Sequence, residues 1–148
     1  MKSLFVSLIE NRILMTTLLA WVIAQTTKVA LGIIKEKKFN FRWFIGTGGM
    51  PSSHAAGATA LATTCGLKLG FDSGIFALSA VFAMVTMFDA QGVRHSTGKQ
   101  AELLNKIMDG IYWKGKIEEE KLKELIGHTP VQVFAGAIMG FFIAIIFN

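Results

Sequence analysis

Apolar residues gather into four long runs separated by polar segments. Ile13 to Ile34 is apolar over about the length a bilayer requires, interrupted by Gln25, Thr26, Thr27 and Lys28. Ser53 to Leu69 is dense in Ala, Gly and Thr, a composition that lets a helix press against its neighbours where the solvent is itself apolar. Ser73 to Ala90 and Val131 to Phe147 complete the set. Gly136 and Gly140 in the last run form a small-residue pair suited to packing against the Ser53 to Leu69 helix. Ahead of these runs, Met1 to Glu10 is short and amphipathic, the pattern of an interfacial helix. Lys35 to Gly49 reads as a basic loop rich in Gly and aromatics, and Lys68 to Ser73 as a tight connection around Gly70 and Asp72. Val93 to Gly127 is polar, and within it Gln100 to Ile111 and Ile117 to Ile126 carry helical apolar spacing, which predicts helices lying on the membrane surface. The whole pattern predicts an all-α, multi-pass membrane bundle of about four transmembrane helices plus interfacial amphipathic helices, built as a single domain over 1–148.

Composition strengthens that reading. Hydrophobic residues make up 52% of the chain and its mean hydropathy is +0.49, too apolar for an ordinary soluble domain. The net charge of +5 comes with no nucleic-acid motif, so loop cations beside anionic lipid explain it better than a nucleic-acid partner. Cys65 lies alone in an apolar segment and carries no redox information. Glu10, Asn11 and Arg12 precede the first run with no small-residue cleavage site in place, which predicts that this span is retained. Four spans alternate sides, so the loop before Ser53, the loop after Ala90 and the turn before Val131 share one face. Lys35, Arg42, His54, Arg94 and His128 therefore emerge together. Eleven of the fifteen Lys and Arg residues lie in the two loops on that face, which places it in the cytoplasm of a cell-membrane protein with both termini outside. The small-residue faces also allow a homodimer.

Candidate chemistry concentrates in Gly46-Thr47-Gly48-Gly49-Met50-Pro51-Ser52-Ser53-His54. Glycines can turn backbone N–H groups inward as an anion nest, Pro51 presets a helix entry, and Ser52 or Ser53 can cap the helix. A helix start of this kind favours phosphate, and His54 in the first turn can pass a proton to a leaving oxygen. Lys28 interrupts an apolar span and so calls for a partner or a task. Gln25, Lys28 and Lys35 share a helical stripe, and either lysine can serve a phosphate. Asp89 can pair with Arg94 or Lys28 or ligate a metal, although no short ligand spacing supports a metal site. His95 reads as a surface residue, and Trp21, Trp43 and Trp113 suit membrane interfaces.

At these residues the sequence resembles the type 2 phosphatidic acid phosphatase superfamily, which includes vanadium haloperoxidases and bacterial acid phosphatases. It is more closely similar to a divergent branch of small bacterial and plant membrane proteins, over nearly the whole chain. The superfamily's Pro-Ser-Gly-His motif appears as Pro51-Ser52-Ser53-His54. Its third motif follows a His with Asp-Val at the fourth and fifth positions and with Gly at the eighth and twelfth. From His128 this chain reads Gln132, Val133, Gly136 and Gly140 at those offsets. In that motif an Arg lies a few residues before the His, whereas here a long amphipathic insert separates Arg94 from His128. The first motif, Lys then six residues then Arg-Pro, is met by Lys35 and Arg42, with Trp43 in place of Pro.

The resemblance implies phosphoryl transfer without metal or cofactor, through a phosphohistidine. His128 would attack phosphorus and His54 would protonate the leaving alcohol and then activate water. Arg42, Arg94 and Lys28 or Lys35 would hold the equatorial oxygens beside Gly48, Gly49, Ser52 and Ser53. Gln132 stands where an Asp would orient the nucleophile. Its carbonyl can orient the ring but cannot offset an imidazolium charge, which implies a weaker nucleophile. The expected substrate is a lipid or isoprenoid phosphomonoester or pyrophosphate, phosphatidylglycerol phosphate being one candidate. The alternative is a non-catalytic anion or headgroup binder, such as a transporter component, and Gln132 and the insert favour it.

Overall fold

The computed structural model describes residues 3–37, 49–91, 100, 103–105 and 128–148. Five helices organise them: α1 (Leu4–Glu10), α2 (Arg12–Glu36), α3 (Ser53–Leu69), α4 (Gly74–Gln91) and α5 (Pro130–Phe147). Each start has a local cause. Asn11 caps α2 by accepting the Leu14 N–H at 3.1 Å, Ser52 caps α3 by accepting that of Ala55 at 3.3 Å, and Ser73 Oγ accepts that of Phe76 at 3.1 Å ahead of α4. Helix α5 opens on Pro130, whose missing N–H is one that a helix start leaves unpaired anyway. The α3–α4 connection turns on Gly70, at φ +94°, with Ser73 Oγ donating back to the Gly70 carbonyl at 2.7 Å.

The four long helices coincide with the expected spans to within about two residues at each end. Helices α2, α4 and α5 are each long and apolar enough to cross a membrane. Helix α3 has 17 residues, 11 of them buried, and packs against each of the other three. Among the described residues, three helices thus qualify as spans on their own length and hydropathy, and the fourth expected span is the helix they pack around. Seven residues form α1, none of them buried, as an interfacial segment requires. Of the helices expected on the polar insert, nearly all lies outside the described residues.

Side-chain size is graded from inside to outside. The centre is Ala20, Ala24, Ala55, Ala56, Ala60 and Ala144, all fully enclosed, whereas Leu18, Val22, Leu78, Val81, Phe82 and Ile146 face outward. Such an arrangement would fail in water and suits a bilayer, where lipid covers the large apolar faces and small residues let backbones approach. Gly136 and Gly140 carry the closest approach, as their spacing predicts. A Cβ at Gly136 would be driven into the Ser52 carbonyl, and one at Gly140 into the Ala56 carbonyl. Trp21 lies nine residues into α2, about 14 Å from its start, and packs beside Gly57, one turn into α3. Trp43 and Trp113 lie outside the described residues.

Gly136→Ala and Gly140→Ala should each lower the thermal unfolding midpoint of the detergent-solubilised protein by several degrees, because a backbone carbonyl cannot yield as a side chain can and overpacking costs about 1–3 kcal/mol. Gly74→Ala, where an added Cβ meets nothing within 4 Å, should leave the midpoint unchanged or slightly raised.

Candidate functional site

Three helix ends meet at one end of the bundle. The N–H of Ser52, at the N-cap of α3, donates to the Gln132 carbonyl in the first turn of α5 at 3.0 Å. The His128 N–H donates to the Ala90 carbonyl, near the end of α4, at 3.1 Å. The Ser52 N–H and the Ala90 carbonyl are groups that helix termini leave without intrahelical partners, so the two bonds tie α3, α4 and α5 together without demanding particular side chains.

That framework sets the two histidines side by side. His54, in the first turn of α3, is exposed, while His128 is buried. Their ring centroids are 6.4 Å apart and the planes tilt by 58°. Residues distant in sequence are therefore neighbours, with His54 on the exposed side of the pair. A small tetrahedral group bordering both rings, rather than inserted between them, would be within the reach that proton transfer and nucleophilic attack need.

Gln132 determines which nitrogen of His128 carries a proton. Its Oε1 accepts the Thr129 N–H at 3.0 Å and lies 3.3 Å from His128 Nδ1. The backbone N–H can only donate, which identifies the atom facing it as the amide oxygen. Neutral His128 then has its proton on Nδ1, directed at that oxygen, and its lone pair on Nε2. The same contact is the reciprocal half of a capping box around Thr129, so one side chain both starts α5 and orients the ring.

The lysine alternatives separate. Lys28 is buried, and a Cβ on Gly49 would lie 3.0 Å from its Cδ and 3.1 Å from its Cγ. Gly49 has φ +85°, so it can lie on the lysine stem where a larger residue could not. Lys28 therefore stands at the level where α3 begins, although its position in the sequence suggests greater depth. Gln25, one turn earlier, is buried beside it. Lys35 lies on the same stripe about 10 Å further along and is exposed. Its exposure agrees with the Lys-rich run it belongs to, which reads as a solvated flank.

Of the alternatives for the α3 cap, Ser52 is the one used. Pro51 precedes it in a cis peptide with Met50, outside the helix. Ser52 and Ser53 are both fully buried, their region closed over by α5. Asp89 lies half-buried next to Ala90. Arg42, Gly46, Thr47, Gly48, Arg94 and His95 lie outside the described residues. Among the described residues, no three His, Cys, Asp or Glu side chains are grouped to hold a metal ion. What the sequence does not disclose is the part played by the Ala90 and Gln132 carbonyls, since a backbone acceptor leaves no mark on residue type.

Residues 9–143 match the sequence model of the "Divergent PAP2 family". The chain belongs to that family. It is also 41% identical, over 150 residues, to the uncharacterized membrane protein YuiD of Bacillus subtilis (strain 168), an alignment covering 94% of this chain and 95% of the relative. No solved structure matches it. Membership agrees with the resemblance carried by Pro51-Ser52-Ser53-His54 and by His128 with its downstream offsets. It makes the chain a phosphatase-related membrane protein.

Imidazole ¹⁵N spectra of the protein at a pH where His128 is neutral should show its proton on Nδ1. Gln132→Leu should shift the population toward the Nε2–H form that free imidazole side chains favour, and an Nε2–H majority in the unmutated protein would contradict the assignment.

Proposed function

We infer that the chain is a membrane phosphatase acting on a lipid or isoprenoid phosphate through a phosphohistidine. The observation that carries this reading is the 6.4 Å separation of the His54 and His128 rings, produced by helices whose sequence positions are far apart. His128 is the nucleophile: Gln132 holds its Nδ1, which leaves Nε2 as the nitrogen that attacks phosphorus. His54, on the open side, protonates the leaving oxygen and in the second half-reaction takes a proton from water. Lys28 supplies positive charge beneath the Gly49 turn, and the loop cations Arg42 and Arg94 complete the clamp on the equatorial oxygens.

A phosphorylated imidazole leaves most readily when its partner can support positive charge, which a carboxylate does better than an amide. Gln132 thus makes for slow turnover in this reading. The placement of the site where the spans end supports a substrate held at headgroup depth, and the cation-rich loops support a cytoplasmic opening. A headgroup binder without turnover is the competing reading, and Gln132 is the observation that favours it.

Phosphate release from a panel of lipid phosphates in detergent separates the two. The unmutated protein should release phosphate, His128→Ala should abolish release, and His54→Ala should slow it by about 10²–10⁴-fold. Retained lipid-phosphate binding with no release by the unmutated protein would favour the binder. Within the active protein, Lys28→Met should weaken inhibition by orthovanadate by about tenfold or more, whereas Lys35→Met should leave it close to unchanged.

A further inference from the structure

A second concavity lies against the candidate site on the lipid-facing side of the bundle. It is a groove of about 190 Å³ between α4 and α5, lined by Met84 and Met87 on one side and by Val133, Phe134 and Ala137 on the other, with Gln91 at one end. From Gln91 to Met84 it follows α4 for about 10 Å, almost two turns. Its walls are apolar apart from Gln91, and Met84 and Phe134 are exposed to what surrounds the bundle, which for helices of this hydropathy is hydrocarbon.

Groove and site share a wall. Val133 and Met87 belong to a cluster with Ala55 and Ala90. Ala55 follows His54, Val133 follows Gln132, and the Ala90 carbonyl holds the His128 N–H. A molecule with a phosphate against the two imidazoles would therefore find a strip of apolar surface beginning one residue away and descending into the bilayer. The polar end of that strip, at Gln91, lies at the same end of the bundle as the histidines. Flexible methionines suit an occupant of variable shape better than branched side chains would.

We propose that the α4–α5 groove holds the hydrocarbon tail of the lipid phosphate whose headgroup occupies the His54–His128 site. This rests on the phosphatase reading and extends it. The groove takes one chain, with Gln91 meeting the polar linkage between tail and phosphate. Binding energy from the tail then positions a headgroup that carries little shape information of its own.

Two measurements test the proposal, each with a diacylglycerol phosphate and a polyprenyl phosphate to distinguish the two sources of tail. In the first, Ala137→Phe and Met84→Trp fill the groove, Leu78→Trp on the exposed face of α4 serves as control, and phenyl phosphate serves as a substrate without a tail. Filling should raise KM for the preferred lipid phosphate by about tenfold or more, with phenyl phosphate turnover and the Leu78→Trp protein unchanged. Lipid KM unaffected by either filling variant, in a protein that releases phosphate, would overturn the groove and leave the phosphatase standing. In the second, unmutated protein in phosphatidylcholine vesicles is irradiated with each lipid phosphate carrying a diazirine in its tail. Labelling should concentrate on residues 84–91 and 133–137 and should be displaced by unlabelled lipid phosphate but not by the same lipid without phosphate. Label spread evenly over the exposed faces of α2, α4 and α5 would show an ordinary lipid annulus and overturn the proposal even if no phosphate is ever released.

Discussion

Everything at the functional end depends on how closely two backbones approach. The Ser52 N–H reaches the Gln132 carbonyl only because Gly136, one turn along α5, has no Cβ to strike the Ser52 carbonyl. Gly140 repeats the arrangement one turn deeper, against Ala56. A bilayer offers no hydrophobic drive to push helices together, so this fit must come from contact and backbone hydrogen bonding. Once α3 and α5 are locked in register, the residue two beyond the Ser52 cap and the residue two ahead of Pro130 have little choice but to meet.

Among the described residues, the site is thus assembled from helix ends. The start of α3 and the end of α4 contribute a backbone donor and an acceptor that would otherwise be left unsatisfied close to an apolar medium. Satisfying them fixes the positions of His54, His128 and Ala90 in one step. Gln132 shows the same economy, because the oxygen that closes the capping box is the one that faces His128 Nδ1. Lys28 fits the scheme from the other side, where α2 presents its side chain under Gly49.

Much of this was legible in the residues. Runs of apolar composition gave the long helices nearly to the residue, because a bilayer imposes both length and hydropathy on a span. Alternation of sides brought His54 and His128 to one face before any geometry was known, and the offsets from His128 to Gly136 and Gly140 pointed to the α3–α5 contact. Other features were out of reach. The Gly49 turn that lies on the stem of Lys28 leaves no periodicity in the sequence, although a lysine inside an apolar run already favoured Lys28 over Lys35. The Ala90 carbonyl could not have been foreseen, since every residue carries one.

The unequal exposure of the two imidazoles carries one more consequence. His128 is enclosed by protein while His54 borders the surroundings. The surroundings therefore reach one member of the pair more readily than the other. Under the proposed mechanism, a covalent adduct on the sheltered nitrogen would be long-lived by default, and its lifetime would be set by how often the outer ring admits a correctly oriented water. The bundle would then work as a one-door chamber in which a single residue regulates traffic both out and in.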